Sequence, residues 1–181
     1  MKIIFSHGKE SGPWGSKITK LANIGKAQGF TVDSIDYNNI ASPDERVNKL
    51  NDYLANETQP YILVGSSMGS YVSLVATQTN QSFNQSPNQP IGVFLLAPAL
   101  FMPDYQQQTY TTTFSNIEIV HGWSDDIIPV EHAIKYAKQA QCTLHLIDGD
   151  HRLNSSIEQV IKLFDSFLLK TKAHHKYLEQ K

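Results

Sequence analysis

Residues 61–76 read YILVGSSMGSYVSLVA, and the prediction of the fold begins from this stretch. An apolar run ends at Gly65, two serines and a methionine follow, and apolar residues return at helical spacing after Gly69. The five residues GSSMG fit the pattern G-x-S-x-G between a strand and a helix. In such a turn the serine takes strained backbone angles, and its hydroxyl stands at the N-terminus of the helix. The pattern predicts Ser67 as a nucleophile, and a turn that only joins two elements is the alternative.

Strand and helix patterns alternate along the rest of the chain. This alternation predicts an α/β fold with a doubly wound, mostly parallel sheet of about six strands. The stretch between Ala97 and Ile117 is too short for a lid domain. Residues from Asn80 to Pro90 are polar and predict a loop. The predicted strands are Lys2 to Ser6, Thr31 to Tyr37, Tyr61 to Val64, Ile91 to Ala97, Ile117 to Val120 and Cys142 to Ile147.

Length, charge and cysteine content narrow the class of protein. A chain of 181 residues suits one domain, which we expect over residues 1–170, with a polar C-terminal tail over 171–181. The net charge of −2 gives no sign of a nucleic-acid or membrane partner. Cys142 is the only cysteine, and the apolar run of MKIIFSHGKE is too short for a secretion signal. We therefore expect a cytoplasmic protein.

Two later segments place further reactive side chains at strand ends. HGWSDDIIP, residues 121–129, puts Asp125 just beyond a strand, and LIDGDHRLN, residues 146–154, puts His151 just beyond the last strand. The order serine, acid, histidine along the chain matches a nucleophile, an orienting carboxylate and a base. Asp126 and Asp36 remain alternative acids, and an exposed loop histidine is the alternative for His151.

The segments GSSMGSY, HGWSDDIIP and GDHRLN together resemble the serine α/β-hydrolases, in particular their small bacterial esterase-like members. HG-x-x-DDI-x-P and DHR are also similar to the mitochondrial α/β-hydrolase that removes palmitoyl groups from protein thiols. The resemblance implies Ser67 as nucleophile, Asp125 as acid and His151 as base. It also implies an oxyanion hole formed by the backbone N–H groups of Lys9 and Met68. The first antiparallel strands of the full fold are absent from the sequence, and the missing lid implies an open, shallow site.

The implied activity is hydrolysis of a small carboxylic ester or thioester through an acyl-enzyme, with no cofactor and no metal. A peptidase or amidase with the same three residues is one alternative, and a non-catalytic binding protein is another. A nucleotide-binding loop at GKESGPWGSK is disfavoured because Pro13 stands where the second glycine is required. Four apolar residues near strand ends are predicted either to line an acyl pocket or to cover the core: Leu100, Phe101, Trp123 and Leu153.

Overall fold

A computed structural model of the protein describes residues 1–82, 90–111 and 116–180. These residues form six strands and five helices, which alternate as the sequence predicts except that no described helix separates the fourth strand from the fifth. The elements are β1 (Lys2–Ser6), α1 (Ser16–Ala27), β2 (Thr31–Ile35), α2 (Pro43–Leu54), β3 (Tyr61–Ser66), α3 (Met68–Ser82), β4 (Gly92–Leu96), β5 (Ile117–Gly122), α4 (Val130–Ala140), β6 (Thr143–Ile147) and α5 (Ile157–Glu179).

The six strands form one sheet in the order β2-β1-β3-β4-β5-β6, and every neighbouring pair is parallel. The chain moves outward from β1 to β2, then returns to β3 on the other side of β1. Ligands of open parallel sheets bind at such a switch point, beside the carboxyl ends of the strands. The loop after β1 and the turn after β3 therefore meet at the position where a site is expected.

Helices cover both faces of the sheet, which explains why its central strands are apolar throughout. One core layer joins the sheet to α2, α3 and α4, and the other joins it to α1 and α5. In the second layer, the Phe94 ring lies 5.1 Å from that of Phe164 and 5.2 Å from that of Phe167, measured between centroids. Packing on both faces fixes the strand ends from which the site is built.

Helix α2 begins as its sequence predicts. The Ser42 hydroxyl accepts a hydrogen bond from the Glu45 N–H at 3.3 Å, and Pro43 occupies the first turn. Among the described residues, no helix combines the length and the apolar composition that crossing a membrane requires.

Two helices run further than their sequence patterns suggest. Helix α3 continues to Ser82, so the predicted loop from Asn80 is wrong over its first residues, and positions 83–89 of that prediction lie outside the described residues. Helix α5 continues to Glu179, so most of the polar residues after 170 are helical. Tertiary contacts hold this extension, because Asn116 donates to the Thr171 hydroxyl at 3.0 Å and Lys172 donates to the Gln28 carbonyl at 2.7 Å.

Candidate active site

Ser67 occupies a sharp turn between β3 and α3. Its φ of 56° lies in the left-handed region, where a residue other than glycine is strained. The glycines on either side make this turn sterically possible. A Cβ added at Gly69 would overlap the Ser6 carbonyl oxygen, and one added at Gly65 would overlap the backbone of Gly69. The GSSMG spacing therefore reflects a strained turn that packs directly against β1.

The imidazole of His151 lies between Ser67 and Asp125. Its Nε2 is 3.0 Å from the Ser67 Oγ, and its Nδ1 is 2.8 Å from the Asp125 Oδ2. Because an ionised carboxylate can only accept, the Nδ1 of His151 carries the hydrogen and donates it. The Nε2 is then free to accept the hydroxyl hydrogen of Ser67. The three predicted residues thus form one continuous chain of hydrogen bonds from three separate loops.

Besides His151, three further donors contact the carboxylate of Asp125. Its Oδ1 accepts from the N–H groups of Ile127 and Ile128 at 3.0 and 2.8 Å, and its Oδ2 lies 3.1 Å from the Nε2 of His121. Burial alone would raise the pKa of this carboxyl group. The hydrogen bonds from the Ile128 N–H, from His151 and from the Ile127 N–H outweigh burial and lower the pKa below its usual value. The group therefore stays ionised and keeps accepting from the imidazole.

The two alternative acids lie in other surroundings. Asp126 is exposed to solvent although it is adjacent in sequence. Asp36, also exposed, accepts a hydrogen bond from the N–H of Asn38 at 2.8 Å, which is the role of a turn residue. Of the three candidate acids, Asp125 is the one to which the Nδ1 of His151 donates among the described residues.

His121 is a buried contributor to the site. Its Nε2 donates toward the Ile128 carbonyl at 3.1 Å as well as toward Asp125. Burial lowers the pKa of this imidazole, which favours the neutral ring. His121 therefore supports the loop that carries the carboxylate, as its place at the end of β5 suggests.

Lys9 and Met68, the two predicted oxyanion donors, border the same cleft as Ser67 and His151. Met68 is the first residue of α3, where an N–H group has no acceptor within the helix. The loop after β1 passes close by, since a Cβ added at Gly8 would lie 3.4 Å from the Ser67 Cβ. The Lys9 side chain is exposed, and Glu10 lies 3.6 Å from Arg152.

The cleft beside Ser67 has a volume of about 610 Å³, and its lining includes both charged and apolar residues. Among the charged residues, Lys17 donates to the Arg152 carbonyl at 2.9 Å. Burial lowers the pKa of the Lys17 amine to about 8. The largely apolar residues of the lining, which we call the apolar wall, are Ala99, Met102, Tyr105, Ile127 and Ile128.

None of the four apolar residues suggested by the sequence belongs to this wall, and the alternative role of covering the core holds for Leu100 and Leu153. Leu100 and Leu153 are fully buried in the core, while Trp123 is 58% exposed. The ring of Phe101 packs edge-on against Tyr110 instead of lining the cleft. Met102 and Ile127 lie in irregular segments. The orientation of their side chains depends on tertiary contacts, which a periodic sequence pattern does not predict.

The described residues hold no group of three or more histidine, cysteine, aspartate or glutamate side chains placed to bind a metal ion.

No family model and no curated protein sequence matches the chain.

Solved structures do match. A proposed hydrolase of the α/β superfamily from Xanthomonas campestris pv. campestris is 27% identical, with a TM-score of 0.81, and the match covers 93% of this chain and 98% of that one. Est1E from Butyrivibrio proteoclasticus is 16% identical, with a TM-score of 0.79, and the match covers 95% of this chain and 88% of that one. Alpha/beta hydrolase domain-containing protein 10 from mouse is 18% identical, with a TM-score of 0.70, and the match covers 93% of this chain and 90% of that one.

The structural matches, one of them a proposed α/β-superfamily hydrolase at 27% identity, confirm the resemblance of the chain to the α/β-hydrolase superfamily. The six-stranded parallel sheet of this chain, whose fold the Xanthomonas structure shares at a TM-score of 0.81, confirms the predicted fold class. Because the matching structures are those of hydrolases, they support the view that this protein is a hydrolase.

Proposed function

We propose that the protein is a serine hydrolase that cleaves a small carboxylic ester or thioester through an acyl-enzyme. The observation that carries the proposal is the chain of hydrogen bonds from the Ser67 Oγ through His151 to Asp125. A serine hydroxyl is a weak nucleophile until a base accepts its proton, and a base needs an orienting group. This arrangement supplies both, at the mouth of a cleft large enough for a small ligand.

The reaction has two halves. Ser67 Oγ attacks the substrate carbonyl carbon while its proton passes to the Nε2 of His151, and the carbonyl electron pair moves onto oxygen. The tetrahedral oxyanion lies against the N–H groups of Met68 and Lys9. Its collapse expels an alkoxide or thiolate, which takes the proton from His151 and leaves an acyl-serine. Water then attacks the acyl carbon, His151 takes and returns a proton in the same way, and the acid is released.

Each remaining group has a role in this scheme. Asp125 keeps the imidazole in the tautomer that bares Nε2 and stabilises the imidazolium that forms. The apolar wall around Met102 and Ile127 accommodates the acyl chain. The proposed partner is a small acyl ester or thioester rather than a nucleic acid or a membrane, which agrees with the net charge of −2.

A panel of substrates tests this proposal. Purified protein is assayed with p-nitrophenyl esters from acetyl to dodecanoyl, with matching thioesters and with anilides as amide counterparts. We expect ester and thioester turnover that is fastest for short chains and is lost in Ser67→Ala. The exposed serine variant Ser166→Ala is the control and should keep wild-type rates. Turnover of anilides alone would favour an amidase, and no turnover of any substrate would favour a binding protein.

A further inference from the structure

Arg46 is a buried cation on α2 whose guanidinium reaches the loop after β1. The residue is 3% exposed, and its guanidinium lies 5.2 Å from the centroid of the Tyr37 ring. Its Nε donates to the Ile40 carbonyl at 2.7 Å. Its Nη1 lies 3.2 Å from the Gly8 carbonyl oxygen. Arg46 therefore joins a helix that lines no part of the cleft to the loop that precedes Lys9.

The charge of Arg46 has no carboxylate partner at ion-pair distance among the described residues. Burial disfavours the charged guanidinium and lowers its pKa below the usual value. A buried cation that only carbonyl oxygens and an aromatic ring stabilise costs stability compared with an apolar residue of similar size. A role in the site would explain why the fold carries it.

The carbonyl of Gly8 is held from two sides. Tyr37 donates its N–H to the Nε2 of His7 at 3.0 Å, so the hydrogen of the neutral His7 ring is on Nδ1. That Nδ1 donates to the Gly8 carbonyl at 2.7 Å, beside the bond from Arg46. A peptide unit is planar and trans, so the N–H of Lys9 points away from the Gly8 oxygen. Two donors on that oxygen therefore fix the direction of the Lys9 N–H.

The fixed peptide adjoins the nucleophile. A Cβ added at Gly8 would lie 3.4 Å from both the Ser66 carbonyl oxygen and the Ser67 Cβ, and Lys9 borders the cleft. We propose that Arg46 is a positioning residue for the oxyanion hole, and that its hydrogen bond to the Gly8 carbonyl aims and polarises the Lys9 N–H. This inference rests on the proposed hydrolase function.

The effect acts mainly on the transition state. A donor bonded to the carbonyl of a peptide strengthens the N–H of the same peptide, because hydrogen bonds in series polarise one another. Negative charge appears on the substrate oxygen only during reaction, so a weakened or misdirected donor lowers kcat with little change in KM. Loss of a whole oxyanion donor lowers kcat by about 10²- to 10³-fold, so misdirection of one should cost roughly tenfold to 10²-fold.

Three variants distinguish the hydrogen bonds of Arg46 from its charge, and both from a general effect of substitutions on α2. Arg46→Met keeps the apolar stem over Tyr37 and removes every donor. Arg46→Lys keeps the charge but replaces the fork with a single ammonium. Lys49→Met is the matched control, because Lys49 is an exposed cation on the same helix that also donates to a backbone carbonyl, that of Asp36, at 2.7 Å.

The first readout needs no substrate. In ¹⁵N relaxation of the free protein, we expect the Lys9 amide to be ordered in wild type and in Lys49→Met. In Arg46→Met its order parameter should fall below about 0.6, the range of flexible backbone, with Arg46→Lys intermediate. If Arg46→Met does not fold, Arg46→Lys decides. An unchanged Lys9 amide in a folded Arg46 variant would overturn the inference.

The second readout uses an ester that wild type hydrolyses. Arg46→Met should lose about tenfold or more in kcat and in affinity for a boronic acid that forms a tetrahedral serine adduct, with KM within about twofold. Wild-type kcat in Arg46→Met, or a loss confined to KM, would overturn the inference. If wild type hydrolyses neither an ester nor a thioester, the proposed function fails, and the relaxation of the Lys9 amide still decides whether Arg46 orders the loop.

Discussion

Replacing Asp125 with asparagine tests the orienting role of the carboxylate without changing its shape. The Oδ1 atom accepts from the N–H groups of Ile127 and Ile128 at 3.0 and 2.8 Å, so the asparagine oxygen should take that place. The amide NH₂ then occupies the position of Oδ2, which now lies 2.8 Å from the Nδ1 of His151. An acceptor is thereby exchanged for a donor at one defined atom.

The size of the effect follows from the tautomer of His151. Facing a donor, Nδ1 must give up its hydrogen and accept, which places the hydrogen on Nε2. Nε2 then donates toward the Ser67 Oγ and can no longer accept its proton. A tautomer fixed wrongly in such a triad lowers the rate by about 10⁴-fold, which corresponds to about 5 kcal/mol in activation free energy.

The assay is the second-order rate of phosphonylation by a fluorophosphonate, which needs no known substrate. Asp125→Asn should react about 10⁴-fold more slowly than wild type. Asp126→Asn is the matched control, because it makes the same change at an exposed neighbour and should stay within about twofold of wild type. A rate above a tenth of wild type in Asp125→Asn, with a large loss in Asp126→Asn, would refute the assignment of the acid.

Further predictions concern His121, Lys17 and the turn glycine. His121→Phe removes a donor to the carboxylate and should lower kcat/KM roughly tenfold, whereas His121→Gln should restore most of the rate in the same ester assay. An amine reacts only when unprotonated, so modification of Lys17, followed by mass spectrometry, should be half-maximal near pH 8; a midpoint above about pH 10 would contradict the effect of burial. Gly69→Ala should lower the free energy of unfolding in urea by about 3 kcal/mol or more, because the new Cβ overlaps the Ser6 carbonyl oxygen, whereas Gly12→Ala meets nothing within 4 Å and should change it little.

The strongly patterned parts of the chain could be predicted from sequence. Short apolar runs, apolar residues at helical spacing and the capped start of α2 predict the elements, and the GSSMG turn requires a strand before Ser67 and a helix after it. Because every strand is parallel, the loops that carry Ser67, Asp125 and His151 meet at one edge of the sheet. Their positions just after predicted parallel strands were therefore enough to predict that they would lie at the same end of the sheet.

Features that depend on tertiary contacts were not predicted. The extension of α5 rests on contacts of Thr171 and Lys172 with distant residues, which a polar local sequence does not reveal. Met102 reaches the cleft from an irregular segment without periodicity. The sequence does give one indication that Arg46 is buried. It lies four residues before Leu50 and so falls on the apolar stripe of α2. A cation on such a stripe indicates burial, but not the carbonyl that it binds.

Labelling with a fluorophosphonate probe, with the adduct located by mass spectrometry, tests the central claim most directly. The account predicts a single adduct on Ser67 in wild type and no labelling in Ser67→Ala. Labelling of His151→Ala should be slower by several orders of magnitude, while Ser166→Ala and His174→Ala, which change exposed residues on α5, should label as wild type does. A folded wild-type protein that does not label, or an adduct on another residue, would contradict an activated serine at this site.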